Sequence, residues 1–184
     1  FKTTYMLNII VAIDSEGGIG QENCNTKNGL PWNIKEDLQY FKNLTENNII
    51  IMGRKTADKF KKPLPNRMNC VISSNKEYRC GEGFITYLSL EECLKDVCNS
   101  NHYKLEKPLI FIIGGAKLIE ESMNFNYLID KIYLTIIKKN FNCDIKISQL
   151  VTDFILEKCN LVEKIEKFDK DSNIEYYNEI YSII

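Results

Sequence analysis

The sequence predicts an α/β fold built on a mostly parallel sheet that closes with an antiparallel hairpin. Three observations carry this. Short apolar strands alternate with segments whose apolar residues recur at helical spacing. The run Leu109-Ile110-Phe111-Ile112-Ile113 is apolar throughout, as in a strand covered on both faces. The tail holds two alternating stretches, Leu161–Phe168 and Glu175–Tyr181, joined by the polar turn Asp169–Asn173.

The elements follow in order. Leu7–Ile13 is an apolar strand, and Asp14–Gly29, rich in Gly and Asn, is a long loop. Asn33–Leu44 is a helix: Ile34, Leu38 and Phe41 fall at i, i+4 and i+7 and draw its buried face, and Asn33 can cap it. Asn48–Met52 is a buried strand and Arg54–Phe60 a short helix. Asn69–Ser73 and Phe84–Tyr87 are strands, Leu90–Val97 an amphipathic helix, and Leu109–Ile113 the wholly apolar strand. Lys117–Met123 is a short helix and Lys131–Lys138 a strand, ahead of the tail hairpin. No repeat, low-complexity tract or linker interrupts the 184 residues, so 1–184 reads as a single domain, long enough to bury a substantial core.

Composition excludes several classes. With 24 basic and 25 acidic residues the net charge is −1, which gives no field to draw the chain onto nucleic acid or an anionic membrane. No apolar run reaches the ~18–20 residues of a membrane span, and Met6–Ile13 is too short for a signal peptide and reads as a strand. The chain opens at Phe1 rather than Met, which leaves room for a longer parent. Seven cysteines, an odd number with no C-x-x-C pair, suit reduced thiols in a cytoplasmic protein and offer no zinc site; no metal is expected. The single histidine, His102, lies in the polar stretch Asn99–Lys107 and is a poor candidate for triad chemistry.

Four stretches carry chemistry. In Leu30-Pro31-Trp32-Asn33-Ile34-Lys35-Glu36-Asp37-Leu38-Gln39-Tyr40-Phe41, Asp37 shares the apolar face of the helix with no Lys or Arg three or four residues away. A carboxylate there is costly without a partner, and burial raises its pKa, as at many functional sites. The same residue would also suit a helix start, where the macrodipole favours it. In Ile49-Ile50-Ile51-Met52-Gly53-Arg54-Lys55-Thr56, a buried strand passes through Gly into a helix with two cations in its first turn. Those cations oppose the helix dipole, which a phosphate would explain; they could also be solvated surface charges. In Leu109-Ile110-Phe111-Ile112-Ile113-Gly114-Gly115-Ala116-Lys117, glycines at a strand-to-helix junction let phosphates approach the backbone. In Lys61-Lys62-Pro63-Leu64-Pro65-Asn66-Arg67, a proline-braced turn presents a guanidinium that could clamp a carboxylate or simply face water. Gly18-Ile19-Gly20 does not extend to G-x-G-x-x-G, and there is no G-x-x-x-x-G-K, so neither an ordinary Rossmann site nor a P-loop is indicated.

Together, in this order, and with Ile10-Val11-Ala12 and Gly18-Ile19-Gly20, these stretches resemble the dihydrofolate reductase family, most specifically over Leu7–Ser74 and Ile110–Thr135. The resemblance implies a mixed eight-stranded sheet flanked by helices, NADPH as cofactor, and dihydrofolate or antifolates such as methotrexate as ligands. It implies a catalytic set of Asp37, Trp32 and Thr135. Asp37 would bind the pterin's amidine edge and support protonation at N5, with Thr135 hydrogen-bonded to it. It implies substrate walls from Ile10, Val11, Ala12, Leu30, Phe41, Phe60, Leu64 and Ile113, with Arg67 on the glutamate α-carboxylate. It implies a dinucleotide site from Ala12, Ile19, Gly20, Gly53, Arg54, Lys55, Thr56, Ser73, Ser74, Lys76, Ile113, Gly114, Gly115, Ala116, Lys117, Leu118 and Ile119, with a cis Gly114–Gly115 peptide. The loop Asp14–Gly29 would be the lid. A thymidylate synthase domain in a longer parent chain is a further possibility the family raises.

The chain departs from the family pattern in several places. Ile119 stands where an aromatic residue usually touches the nicotinamide, so Ile119→Tyr is expected to speed hydride transfer. Ala57 and Lys59 replace the usual Trp and Ser, Ala116 a Gly or Ser, and Ile145 a common Thr; Gln21–Lys27 adds about five residues to the lid. Two other readings compete. A reductase of riboflavin synthesis shares the Gly-Gly site but lacks the Leu-Pro-Trp helix and its carboxylate. A binding module that kept the fold would not oxidise NADPH.

Overall fold

A computed structural model of the protein describes residues 5–26 and 28–184. Phe1 and Lys27, the last residue of the expected lid insertion, lie outside them. The strands are β1 (Leu7–Ile13), β2 (Gly18–Gly20), β3 (Ile49–Gly53), β4 (Met68–Ile72), β5 (Phe84–Tyr87), β6 (Ile110–Gly114), β7 (Ile129–Ile137), β8 (Ile145–Lys146), β9 (Cys159–Asp169) and β10 (Ile174–Ile183). The helices are α1 (Lys35–Thr45), α2 (Arg54–Lys59), α3 (Leu90–Asn99), α4 (Asn101–Glu106), α5 (Ala116–Ser122) and α6 (Gln149–Lys158), with a 3₁₀ segment over Met123–Leu128.

Eight strands form one sheet in the order β5-β4-β3-β6-β1-β7-β10-β9. All neighbours from β5 through β7 are parallel, and β10 runs antiparallel to both β7 and β9. This is the mixed sheet that the sequence pattern indicates. Alternation along the strands sorts the core onto two faces. Ile9, Ile49, Ile51, Ile110 and Ile112 join α3 residues Leu90, Leu94 and Val97 in one cluster. Ile10, Ile50, Met52, Val71 and Phe111 form the cluster on the other face. A third cluster, Trp32, Ile34, Ile137, Cys143, Ile174 and Tyr176, lies beside the start of α1.

The structure differs from the sequence reading in four places. The cap of α1 is Ile34, without a side-chain hydrogen bond, rather than Asn33; Ile34 is buried in the third cluster, so packing sets where the helix enters. The loop Asp14–Gly29 contains β2, which pairs with β8. A Cβ on Gly18 would lie 2.4 Å from Cys143 Cβ, so this approach needs glycine. The polar stretch around His102 folds as α4, with Ser100 Oγ accepting from Tyr103 N at 3.1 Å. Finally, α6 was not anticipated: it buries only Val151 and Ile155 and exposes Leu150 and Leu156, too narrow a stripe to read from the sequence. All seven cysteines are free. Among the described residues no helix is long and apolar enough to cross a membrane.

Candidate active site

A cavity of about 340 Å³ opens between α1, α2 and the carboxyl ends of β1 and β6, the usual place for a ligand in a parallel α/β sheet. Its polar centre is Asp37. Thr135 Oγ1 donates to Asp37 Oδ1 at 3.0 Å. Asn178 Nδ2 donates to the same oxygen at 3.3 Å and to Thr135 Oγ1 at 2.8 Å. Sheet register explains the grouping: Ala12, Thr135 and Asn178 are directly opposed on β1, β7 and β10, so their side chains share the face below α1. Burial pushes the Asp37 carboxyl above the ordinary carboxylate range; hydrogen bonds from Thr135 and Asn178 and the charge of Lys167 oppose that shift without cancelling it.

Apolar walls surround this centre. Ile10, Val11, Ala12, Leu30, Phe41, Phe60, Leu64 and Ile113 all line the cavity. Leu38 is 36% exposed and also lines it, so the Ile34/Leu38/Phe41 stripe turns from the core at Ile34 into the cavity wall. Arg67 stands at the same cavity with its orientation fixed: Nε donates to Pro65 O at 2.9 Å and Nη1 to Thr45 Oγ1 at 3.1 Å. Its guanidinium carbon lies 6.0 Å from the Phe41 ring centroid.

Along the other side, Ile19, Thr56, Gly114 and Gly115 complete the lining. The Gly114–Gly115 peptide is cis, and Gly114 has φ of 122°, open to glycine alone. Cβ atoms added at Gly53 and Gly115 would meet only Gly115 N at 3.7 Å, Gly114 O at 4.0 Å and Thr56 Oγ1 at 3.5 Å, so the absent side chains leave a backbone-lined recess. Gly20 is buried in β2 and Ala116 opens α5. Arg54, Lys55, Ser74, Lys76 and Lys117 are exposed, with Ser73 buried at the end of β4. Arg54 lies over the Tyr78 ring at 6.0 Å.

Gly20, Gly53, Arg54, Lys55, Ser73, Ser74, Lys76, Ala116 and Lys117 lie outside the cavity lining, and three further expected residues are buried in the core clusters. Leu118 and Ile119 are 4% and 0% exposed and pack into the main core with Ile9, Ile112 and Met123, because α5 turns this face onto the sheet. Neither lines the cavity, and the expectation that Ile119 faces a nicotinamide is corrected. Trp32 is 3% exposed in the third cluster, edge-on to Phe141 at 5.3 Å, and its indole N–H has no acceptor among the described residues.

The lid is tied at its start and at its middle. Burial raises the carboxyl of Asp14, but backbone N–H groups of Phe141, Gly18 and Glu16 outweigh it and hold the group below its ordinary value. On the insertion, Lys55 pairs with Glu22 at 2.9 Å and Lys59 Nζ donates to Gln21 O at 3.2 Å. One turn of α2 thus grips the lid through two lysines four residues apart. Sequence reasoning did not place Asn28, Tyr40, Lys42, Lys59 or Asn178 at the site, nor Gly29 and Leu38, which also line it. The first four flank motif residues; Asn178 had a signal, a carboxamide at an inward position of an alternating strand.

Comparison with known proteins agrees with this geometry. The dihydrofolate reductase family model matches residues 6–181. A dihydrofolate reductase of Aedes albopictus is 32% identical over 184 residues, covering 94% of this chain and 95% of that one. A bifunctional dihydrofolate reductase-thymidylate synthase of Paramecium tetraurelia is 36% identical over 148 residues, 80% of this chain but 29% of that protein. The structure of dihydrofolate reductase from Enterococcus faecalis, complexed with NADP(H) and the ligand RAB-propyl, superposes with a TM-score of 0.80 at 28% identity, covering 97% of this chain and 96% of that one. With a family match from residue 6 to residue 181 and the carboxylate, guanidinium and double glycine around one cavity, the chain belongs to the dihydrofolate reductase family of oxidoreductases.

Proposed function

We propose that this chain, acting as a single domain, reduces 7,8-dihydrofolate to 5,6,7,8-tetrahydrofolate. Bound NADPH supplies the hydride, from nicotinamide C4 to pterin C6, while the proton goes to N5. The observation that carries the reading is Asp37, a burial-raised carboxyl held by the uncharged donors Thr135 and Asn178 beside the apolar walls of the cavity. A carboxylate so placed accepts two N–H donors from an amidine edge and fixes the pterin ring. Its raised proton affinity supports protonation at N5.

The remaining residues bind and exclude. Ile10, Phe41, Phe60 and Leu64 fit flat rings, and Arg67, pre-set by Pro65 and Thr45, suits a carboxylate at the far end. The recess over Gly53, Gly114 and Gly115 fits a pyrophosphate against backbone N–H groups. Thr56, Ser73, Ser74, Arg54, Lys55, Lys76 and Lys117 supply hydroxyls and cations for the dinucleotide, the 2′-phosphate included. Ile19, on the lid, keeps water from the reacting faces. The Trp32 N–H, without an acceptor among the described residues, lies in the cluster against which the cavity residues Ala12 and Leu30 pack, and a buried donor left alone costs about 1–3 kcal/mol. The test is dihydrofolate-dependent NADPH oxidation that methotrexate stops; a folded chain that binds both ligands and oxidises no NADPH would overturn the reading.

A further inference from the structure

β9 is the free edge of the eight-stranded sheet and spans eleven residues, Cys159–Asp169. Among the described residues, its outer row of backbone N–H and C=O groups has no strand beside it. It has neither Pro nor Gly to spoil pairing, and the irregularity near Val162 leaves Glu163–Asp169 in unbroken register with β10. Apolar side chains stand in solvent on both of its faces: Val162 is 61% exposed, Phe168 50% and Ile165 43%.

The order of charges on this edge says what fits it. Two copies of one strand can pair antiparallel about a two-fold axis only through a residue that faces itself, because opposed side chains must share a face. With Ile165 on the axis, Glu163 faces Lys167 of the second copy and Lys164 faces Glu166. Each charged position from 163 to 167 then meets the opposite sign, and Ile165 meets its own copy. Moving the axis one residue either way sets Lys164 against Lys164 or Glu166 against Glu166. The edge is thus complementary to itself in one register.

We infer that β9 is an interface for a second copy of this chain, joined antiparallel about Ile165 so that two sheets become one. The contact is isologous and closes at two chains. The experiment is light scattering on the whole chain over a range of concentration, with Glu163→Lys and Lys167→Glu as charge swaps. In either variant alone, positions 163 and 167 carry the same sign, and both pairs across the axis turn repulsive. The wild type is expected to double its mass as concentration rises. Each swap is expected to raise the dimer dissociation constant by on the order of tenfold or more. An equal mixture of the two swaps is expected to recover the double mass, because Lys then faces Glu at both pairs. A wild type that keeps a single-chain mass up to its solubility limit overturns the inference. So do a dimer that survives both swaps, or swaps that fail to rescue one another.

Discussion

Asn178→Leu tests the hydrogen-bonded triad most directly. Leucine keeps much of the volume and removes the carboxamide whose Nδ2 donates to Asp37 and Thr135. The lost bond to Asp37 is 3.3 Å long, beyond the ~2.7–2.9 Å of a strong charge-assisted contact. Its worth is therefore set near the bottom of the 1.5–3 kcal/mol range, about 1.5 kcal/mol. Thr135 also loses the 2.8 Å bond that fixes its hydroxyl, while it can still donate to Asp37. A donor to a carboxylate favours the charged form, so its loss moves the carboxyl upward, the direction in which burial already pushes it. About 1.4 kcal/mol corresponds to one pH unit, so the midpoint of the pH profile for hydride transfer should rise by about one unit. Lys167, the charge that lowers Asp37, is untouched by the change. The assay is single-turnover transfer with protiated and deuterated NADPH across pH. On the acid plateau the variant should match the wild type; above the midpoint it should be faster, by up to about tenfold. A midpoint that stays or falls would refute the reasoning, and a change in substrate affinity alone would make Asn178 a packing residue.

Asp37→Asn should depress turnover strongly at neutral pH and recover in part in acid, where substrate arrives protonated; near-wild-type turnover at pH 7 would contradict this. The same variant should be more heat-stable than the wild type at neutral pH, measured without ligands. Because the folded carboxyl lies above its unfolded value, its contribution is fully present below the unfolded value and is lost as pH rises through the folded one, so the advantage must vanish in strong acid. Arg67→Lys should weaken methotrexate by roughly ten- to a hundredfold, the equivalent of about 1.5–3 kcal/mol. Inhibitors lacking the glutamate should be spared, and equal losses in titrations of both types would make Arg67 structural. Ile119→Tyr should lower unfolding free energy by about 1–3 kcal/mol in denaturant melts, because the residue is fully enclosed; an unchanged midpoint with faster hydride transfer would restore the original expectation. Glu22→Gln should free Lys55 for a 2′-phosphate and raise the NADPH-to-NADH ratio of kcat/KM a few-fold, since the exposed pair it breaks is worth at most about 1 kcal/mol. A constant ratio would assign Lys55 to the lid alone.

What the sequence reveals of this molecule is what local chemistry encodes. A strand that is apolar throughout, such as Ile110–Gly114, must be covered on both faces, which fits its interior place between β3 and β1. Asp37 is legible because a lone carboxylate on an apolar helical face has few reasons to be there, and the double glycine because it interrupts a strand-to-helix junction. Ile119 misled for the complementary reason. Its position relative to Gly114 and Gly115 matches a motif, yet contact with a ligand depends on which face of α5 meets the sheet, and the burial of Leu118, Ile119 and Ser122 shows that face turned inward. The pairing of β2 with β8 escaped notice because it joins segments over a hundred residues apart through very few residues.

Asn178 marks the deeper limit. Within Ile174–Ile183 it is one polar residue in an alternating strand, and alternation alone assigns it a face without a partner. Its partner is fixed by β10 entering between β7 and β9, the reversal that makes this sheet mixed rather than parallel. In that register residue 178 falls opposite residue 135, and the helix carrying Asp37 lies over both. A slip of one residue would turn Asn178 to the other face and leave Thr135 and Asp37 without a third member. The tail hairpin therefore does more than finish the sheet. It delivers to the carboxylate a hydrogen-bond donor more than a hundred residues away in sequence, and the proton affinity of the site depends on the register of the last strand.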